Sequence, residues 1–173
     1  CAPNRNENFS MLIMALDGNS LAYRAFYALP AENFVTSSGQ HTNAIYGFAS
    51  MLINLISSEK PTHIATAFDV SRKPFRSERF PEYKANRSST PDEFRSQTSY
   101  RDDLVRGFGI RHFAVEGFEA DDIIATLAKR AESDGFEVLI CTGDRDSFQL
   151  INSTTTVLYP KRGVTDLARM TPD

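Results

Sequence analysis

Three short apolar runs each deliver this chain to an acidic residue. Leu12–Leu16 leads to Asp17, Ile64–Phe68 leads to Asp69, and Val138–Cys141 closely precedes Asp144. Runs of this length and composition read as strands. Open α/β sheets take ligands beyond the carboxyl ends of their strands, near the point where strand order reverses. If the runs lie parallel in one sheet, the three carboxylates converge there. Glu119, Asp121 and Asp122 form a fourth acidic place, and Asp146 follows Asp144 closely, so seven acidic side chains stand in four places. Crowded carboxylates repel each other and are driven toward protonation unless a cation supplies the missing charge. Oxygen ligands of this kind suit Mg²⁺ or Mn²⁺. The chemistry expected of such a site is phosphodiester hydrolysis.

The chain of 173 residues, 41% apolar, is long enough for one sizeable core. Its formal charge of −3 gives no bulk signature of a nucleic-acid binder, but seven of its acids are the candidate metal ligands. Between Val70 and Thr90 the balance reverses, with Arg72, Lys73, Arg76, Arg79, Lys84 and Arg87 set against only Glu78 and Glu82. That stretch is suited to meet phosphates. The cysteines, Cys1 and Cys141, offer neither a disulfide framework nor a CxxC zinc site, which fits a reducing cytoplasm. No apolar segment is long enough to span a bilayer, and residues 1–10 are polar, without a signal-peptide core. They are set aside as an extension or tail. Residues 11–173 are expected to form the folded unit.

Along the chain, Ser20 is expected to cap a short helix through Leu29 that Pro30 ends. Ile45, Phe48, Ala49, Leu52, Leu55 and Ile56 mark a second helix, stopped by Glu59, Lys60 and Pro61. Residues 70–90, basic, aromatic and broken by Pro74 and Pro81, predict a long loop or arch over the site. Thr90, Pro91 and Glu93 read as a capping box opening a helix to about Phe108. Arg111–Val115 reads as a strand and Glu119–Ser133 as a helix stopped by Gly135. Glu137–Thr142 and Thr155–Tyr159 are further strands, with a short helix around Phe148, Leu150 and Ile151 between them. The alternation predicts an α/β fold with a mostly parallel central sheet and helices on both faces.

Each acid has an ordinary explanation when taken alone. An Asp after a strand is commonly a turn or N-cap residue. Acids in a first helical turn also answer the helix dipole. Glu119 and Asp122, three apart, share a helix face, whereas Asp121 points elsewhere and would reach a metal through water. Joint placement makes the case.

The order of linked motifs adds to that reading. Leu16-Asp17-Gly18-Asn19-Ser20-Leu21-Ala22-Tyr23-Arg24-Ala25-Phe26 is followed by Phe68-Asp69 and its basic loop. Gly117-Phe118-Glu119-Ala120-Asp121-Asp122 and Thr142-Gly143-Asp144-Arg145-Asp146 come next. From about Leu12 to Asp173 the chain resembles the 5′-nuclease domains of bacterial DNA polymerase I, within the flap-endonuclease family and its PIN-like fold. The resemblance implies a two-metal site in which one ion helps generate hydroxide and the pair stabilises attacking and leaving oxygens. Asp17, Asp69, Glu119, Asp121, Asp122, Asp144 and Asp146 would be its ligands or their supports.

Phe80-Pro81-Glu82-Tyr83-Lys84-Ala85-Asn86-Arg87 resembles the family's arch, beneath which a single-stranded 5′ end passes. Lys84 and Arg87 are the expected catalytic phosphate contacts, offsetting transition-state charge. Arg72, Arg76, Arg79 and Tyr83 are expected to join them in binding nucleic acid, with Phe75, Phe80 or Tyr83 stacking on unpaired bases. Arg24 matches a family position near the substrate phosphate. The implied partner is DNA with a 5′ flap or 5′ end, and RNA primers on DNA are an open extension. The family continues beyond the strand near Tyr159 into a duplex-gripping helical region. This chain is expected to lack that region, leaving a role for it or for a polymerase partner.

Two other readings stay open. One is a branched-DNA-binding module whose second metal site is incomplete. The other is a phosphatase of the haloacid-dehalogenase type, although Asn19 stands where that mechanism wants a second aspartate. Dinucleotide binding is disfavoured because no GxGxxG follows the first strand.

Overall fold

The computed structural model describes residues 11–70, 80, 90–163 and 166–172. In β1 (Leu12–Asp17), Met14 and Leu16 enter one buried hydrophobic cluster and Ala15 another. Successive strand side chains point to opposite faces, so the clusters lie on opposite sides of the sheet. β4 (Glu137–Cys141) repeats the pattern, sending Leu139 and Cys141 to the first side and Val138 and Ile140 to the second. A strand apolar on both faces needs cover on both, and helices supply it.

The first side is covered by α1 (Gly18–Ala28), α2 (Asn43–Glu59), α3 (Asp92–Arg95) and α4 (Thr98–Gly107), through Leu21, Ala25, Phe48, Leu52, Phe94 and Val105. The second is covered by α5 (Ala120–Ser133), through Ile123, Ile124, Ala128 and Ala131. With β2 (His63–Ala67), β3 (Arg111–Phe113), β5 (Thr155–Arg162) and β6 (Asp166–Met170), the six strands among the described residues run in the order β3-β2-β1-β4-β5-β6. All neighbours are parallel except β5 and β6. The chain steps outward from β1 to β3 and then returns to the other side of β1. That places the reversal of strand order between β1 and β4.

Two glycines permit close approaches that set the geometry. A Cβ on Gly47 would stand 2.8 Å from the Ala25 Cβ, so α2 lies hard against α1. A Cβ on Gly18 would stand 2.0 Å from the Phe68 ring, so the start of α1 sits on the end of β2.

A buried polar network joins the helices of the first side. Gln97 is 1% exposed and lies in the break between α3 and α4. Its Oε1 accepts from the backbone N–H groups of Ala44 (2.9 Å) and Ile45 (3.3 Å), satisfying donors in the first turn of α2. Its Nε2 donates to Asn43 Oδ1 at 2.9 Å and to the Glu93 carbonyl at 3.0 Å. Asn43 Nδ2 in turn donates to the carbonyls of Phe26 (2.9 Å) and Leu29 (3.0 Å) at the end of α1.

The expected mostly parallel sheet with helices on both faces is present, with local corrections. Asp17, not Ser20, caps α1, because its carboxylate accepts the Ser20 N–H at 2.9 Å. The helix expected from Thr90 to Phe108 is two pieces. Pro91 occupies the N-cap with no side-chain bond, and the Thr90 hydroxyl is engaged by Tyr23 Oη at 2.8 Å. β3 stops at Phe113, and β6 is a strand that the sequence pattern did not announce. The basic arch lies outside the described residues except Phe80, which is exposed.

Candidate active site

The register of the central strands carries three acids to one sheet edge. Asp17 closes β1 opposite Ala67 of β2, and Leu16 pairs with Cys141 of β4. Asp69 therefore follows β2 by two residues, and Asp144 follows β4 by three. Asp17 and Asp144 flank the β1–β4 crevice where ligands of open α/β sheets bind.

Asp17 is 5% exposed. One carboxylate oxygen accepts from the Ser20 N–H, and the other accepts from Thr142 Oγ1 at 2.8 Å. Burial pushes its pKa from 3.8 up to about 6. The Ser20 and Thr142 bonds pull it down, while the charges of Asp69 and Asp144 push it further up. Asp17 thus lies within electrostatic reach of both Asp69 and Asp144. Thr142 also accepts the Asp144 N–H at 3.0 Å, and the Gly143 N–H donates to Ser20 Oγ at 2.8 Å. These bonds lock the β4 loop onto the start of α1, and Gly143 has no room for a Cβ, which would come within 2.7 Å of the Ser20 hydroxyl.

Asp69 Oδ1 accepts the Ala120 N–H at 2.6 Å, fastening it to the first residue of α5. Glu119 and Asp122 form a reciprocal capping box there, with Asp122 Oδ2 accepting the Glu119 N–H at 3.0 Å. The ordinary helix-start explanation is therefore physically present for these two residues. Glu119 is nonetheless buried, and Asp121 is half-buried in the same turn. Asp144 caps the 3₁₀ turn Arg145–Leu150 by accepting the Asp146 N–H at 2.9 Å, and Asp146 is exposed.

Among the described residues, no three His, Cys, Asp or Glu side chains are grouped as ready-made ligands of one metal ion. The structure brings Asp17, Asp69 and Asp144 to one sheet edge. It ties Glu119 and Asp122 into the α5 cap.

Arg24 donates from Nη2 to the Lys161 carbonyl at 2.5 Å and from Nε to the Gly163 carbonyl at 3.3 Å. It pins the β5–β6 turn beside a cleft of about 220 Å³ lined also by Ser20, Tyr23, Tyr27, Gly143 and Tyr159. Arg72, Arg76, Arg79, Tyr83, Lys84 and Arg87 lie outside the described residues. Sequence reasoning missed Thr142, although it lies inside the Thr-Gly-Asp-Arg-Asp motif. It also missed Arg101, for which no local signal exists.

A sequence profile of the 5′-3′ exonuclease N-terminal, resolvase-like domain matches residues 12–173. The chain belongs to this family. Among curated relatives, it is 61% identical over 161 residues to DNA polymerase I of Mycobacterium tuberculosis strain H37Rv, a match covering 93% of this chain and 18% of that protein. It is 47% identical over 161 residues to DNA polymerase I of Bacillus subtilis strain 168, again covering 93% of this chain and 18% of the relative. The 5′-3′ exonuclease domain thus spans under a fifth of the length of these relatives. Solved structures agree on the fold. The T5 D15 protein co-crystallised with metal ions matches with a TM-score of 0.64 at 22% identity, over 86% of this chain and 54% of that one. Zinc-bound T5 5′-exonuclease matches with a TM-score of 0.65 at 20% identity, over 92% of this chain and 58% of that one.

Among the described residues, no helix of the exonuclease domain is long and apolar enough to cross a membrane.

Proposed function

We propose that this chain is a divalent-metal-dependent 5′ nuclease that hydrolyses phosphodiesters at DNA 5′ ends and flaps. The observation that carries the reading is the convergence of Asp17, Asp69 and Asp144 at the carboxyl ends of three adjacent parallel strands. The donor set fits Mg²⁺ or Mn²⁺: every group is a carboxylate oxygen, and the buried Asp17 faces two like charges. Asp17, Asp69 and Asp144 would hold metal, with Glu119, Asp121, Asp122 and Asp146 as further ligands or supports for a pair of ions. When bound, the ions would lower the pKa of the attacking water and offset charge on the phosphate.

The chain's own groups do the rest. Ser20 and Thr142 orient Asp17, and the Ala120 N–H orients Asp69. Lys84 and Arg87 would neutralise the phosphate in the transition state, with Arg72, Arg76, Arg79 and Tyr83 holding the 5′ strand. Among the described residues Arg24 spends two of its five N–H donors on carbonyls, and the others would be its means of meeting a phosphate. The relatives are DNA polymerases I, which supports a polymerase as the partner, and RNA primers on DNA are proposed as an additional substrate. The engagement of Glu119 and Asp122 in the α5 capping box favours a second reading, a binding module that recognises flaps without cutting. Cleavage of a 5′-labelled flap separates the two. The proposal requires cutting near the junction with Mg²⁺ or Mn²⁺, none with EDTA, and loss in Asp144→Ala. Flap binding without metal-dependent cutting establishes the binding module instead.

A further inference from the structure

Arg101 is a cation on α4, with a side chain 16% exposed, that the proposed chemistry does not use. Its guanidinium carbon lies 4.0 Å from the centre of the Phe68 ring. Its Nη1 donates to Asn19 Oδ1. Asp102 Oδ1 lies 3.6 Å from its Nε, too far for a hydrogen bond, and among the described residues both buried atoms have no hydrogen-bond partner. A partly satisfied guanidinium inside a protein is costly, and such groups call for a reason beyond packing.

The residues it grips supply one. Phe68 immediately precedes Asp69, and its ring fills the space left by Gly18, which immediately follows Asp17. Asn19 is the next residue after Gly18. One planar side chain therefore spans the neighbours of both aspartates, stacking on one and hydrogen-bonding the other, a combination that suits arginine and not lysine. Asp69 is also close enough to interact electrostatically with Arg101. α4 thereby clamps the ends of β1 and β2 in one relative position.

We propose that Arg101 is a positioning residue that sets the spacing of Asp17 and Asp69 and thereby the metal affinity of the site. This inference rests on the metal-dependent reading above. Outer partners that orient metal ligands are typically worth 10–100-fold in affinity or activity.

The test is Mn²⁺ binding, measured by electron paramagnetic resonance on the folded protein, for wild type, Asp17→Asn, Arg101→Met, Arg101→Lys and Asn19→Ala. Arg101→Met is expected to raise the Mn²⁺ Kd about tenfold. The Mg²⁺ concentration for half-maximal cleavage rises in parallel, and the rate at saturating metal stays within about twofold. Arg101→Lys restores the charge but not the affinity. Asn19→Ala, which leaves the guanidinium in place, raises the Kd by a smaller factor, and that effect vanishes in the Arg101→Met background because the two residues act as one contact. Unchanged or tighter Mn²⁺ binding in Arg101→Met overturns the inference while leaving the metal site standing. Should Arg101→Met not fold, Asn19→Ala alone decides, and an unchanged Kd there is equally fatal. Wild-type protein that binds no Mn²⁺, or binds it equally well as Asp17→Asn, overturns the metal reading and this inference together.

Discussion

Replacing Asp17 by asparagine is expected to stabilise the metal-free protein while removing its activity. The side chain is 5% exposed, and burial raises its pKa from 3.8 to about 6. That displacement corresponds to about 3 kcal/mol. The folded state holds this proton more tightly than the unfolded chain does. The favourable contribution is thus complete below about pH 4 and is lost as pH rises through about 6. Near pH 8 the ionised carboxylate works against folding. Asparagine keeps the shape and can still accept the Ser20 N–H, but its amide meets Thr142, whose hydroxyl must turn to accept, so part of the gain is forfeited. A net gain of about 1–2 kcal/mol near pH 8 follows, or roughly 2–8 °C in Tm for a domain of this size. Urea denaturation in EDTA near pH 8 and pH 4.5 measures it. The advantage of Asp17→Asn should disappear at the lower pH, and adding Mg²⁺ should stabilise only the wild type. An Asp17→Asn protein less stable than wild type by the same margin at both pH values would refute the reasoning.

Three further outcomes are expected. Thr142→Val removes the hydroxyl shared by Asp17 and the Asp144 N–H, and calorimetry should show Mn²⁺ binding about tenfold weaker, with Thr142→Ser close to wild type. Gln97→Ala strips the first-turn N–H groups of α2 of their acceptor and leaves a buried void, which thermal denaturation should register as a loss of about 2–4 kcal/mol. Glu132 accepts from the Thr155 hydroxyl and the Asn152 amide, which hold its carboxyl down at about 2. Its contribution is complete above about pH 4.5 and lost as pH falls toward 2, so wild type should lose more stability than Glu132→Gln across that window.

The central strands were legible because their side chains are buried on both faces, which leaves unbroken apolar runs such as Met14-Ala15-Leu16 and Val138-Leu139-Ile140-Cys141. β6, Asp-Leu-Ala-Arg-Met, is charged and only partly buried, and its pairing with β5 is what defines it. The sequence marks seven acids as a set, of which the structure brings Asp17, Asp69 and Asp144 to one sheet edge, and Asp17, Glu119, Asp122 and Asp144 also perform the ordinary capping tasks that weighed against them singly. Capping and clustering coexist because strand ends and helix starts meet at the same sheet edge. The polar middle of the helix expected from Thr90 to Phe108 concealed Gln97, whose partners in α2 lie more than fifty residues away in sequence. Arg101 was hidden for the same reason, since Asn19 and Phe68 come from other elements.

The claim that the three strand-end aspartates form a metal site is tested most directly by diffraction from a crystal grown with Mn²⁺, using the ion's anomalous scattering. A peak within coordinating distance of Asp17, Asp69 and Asp144 is the predicted result. A fully occupied Mn²⁺ bound elsewhere, or none at this edge at saturating concentration, would contradict it.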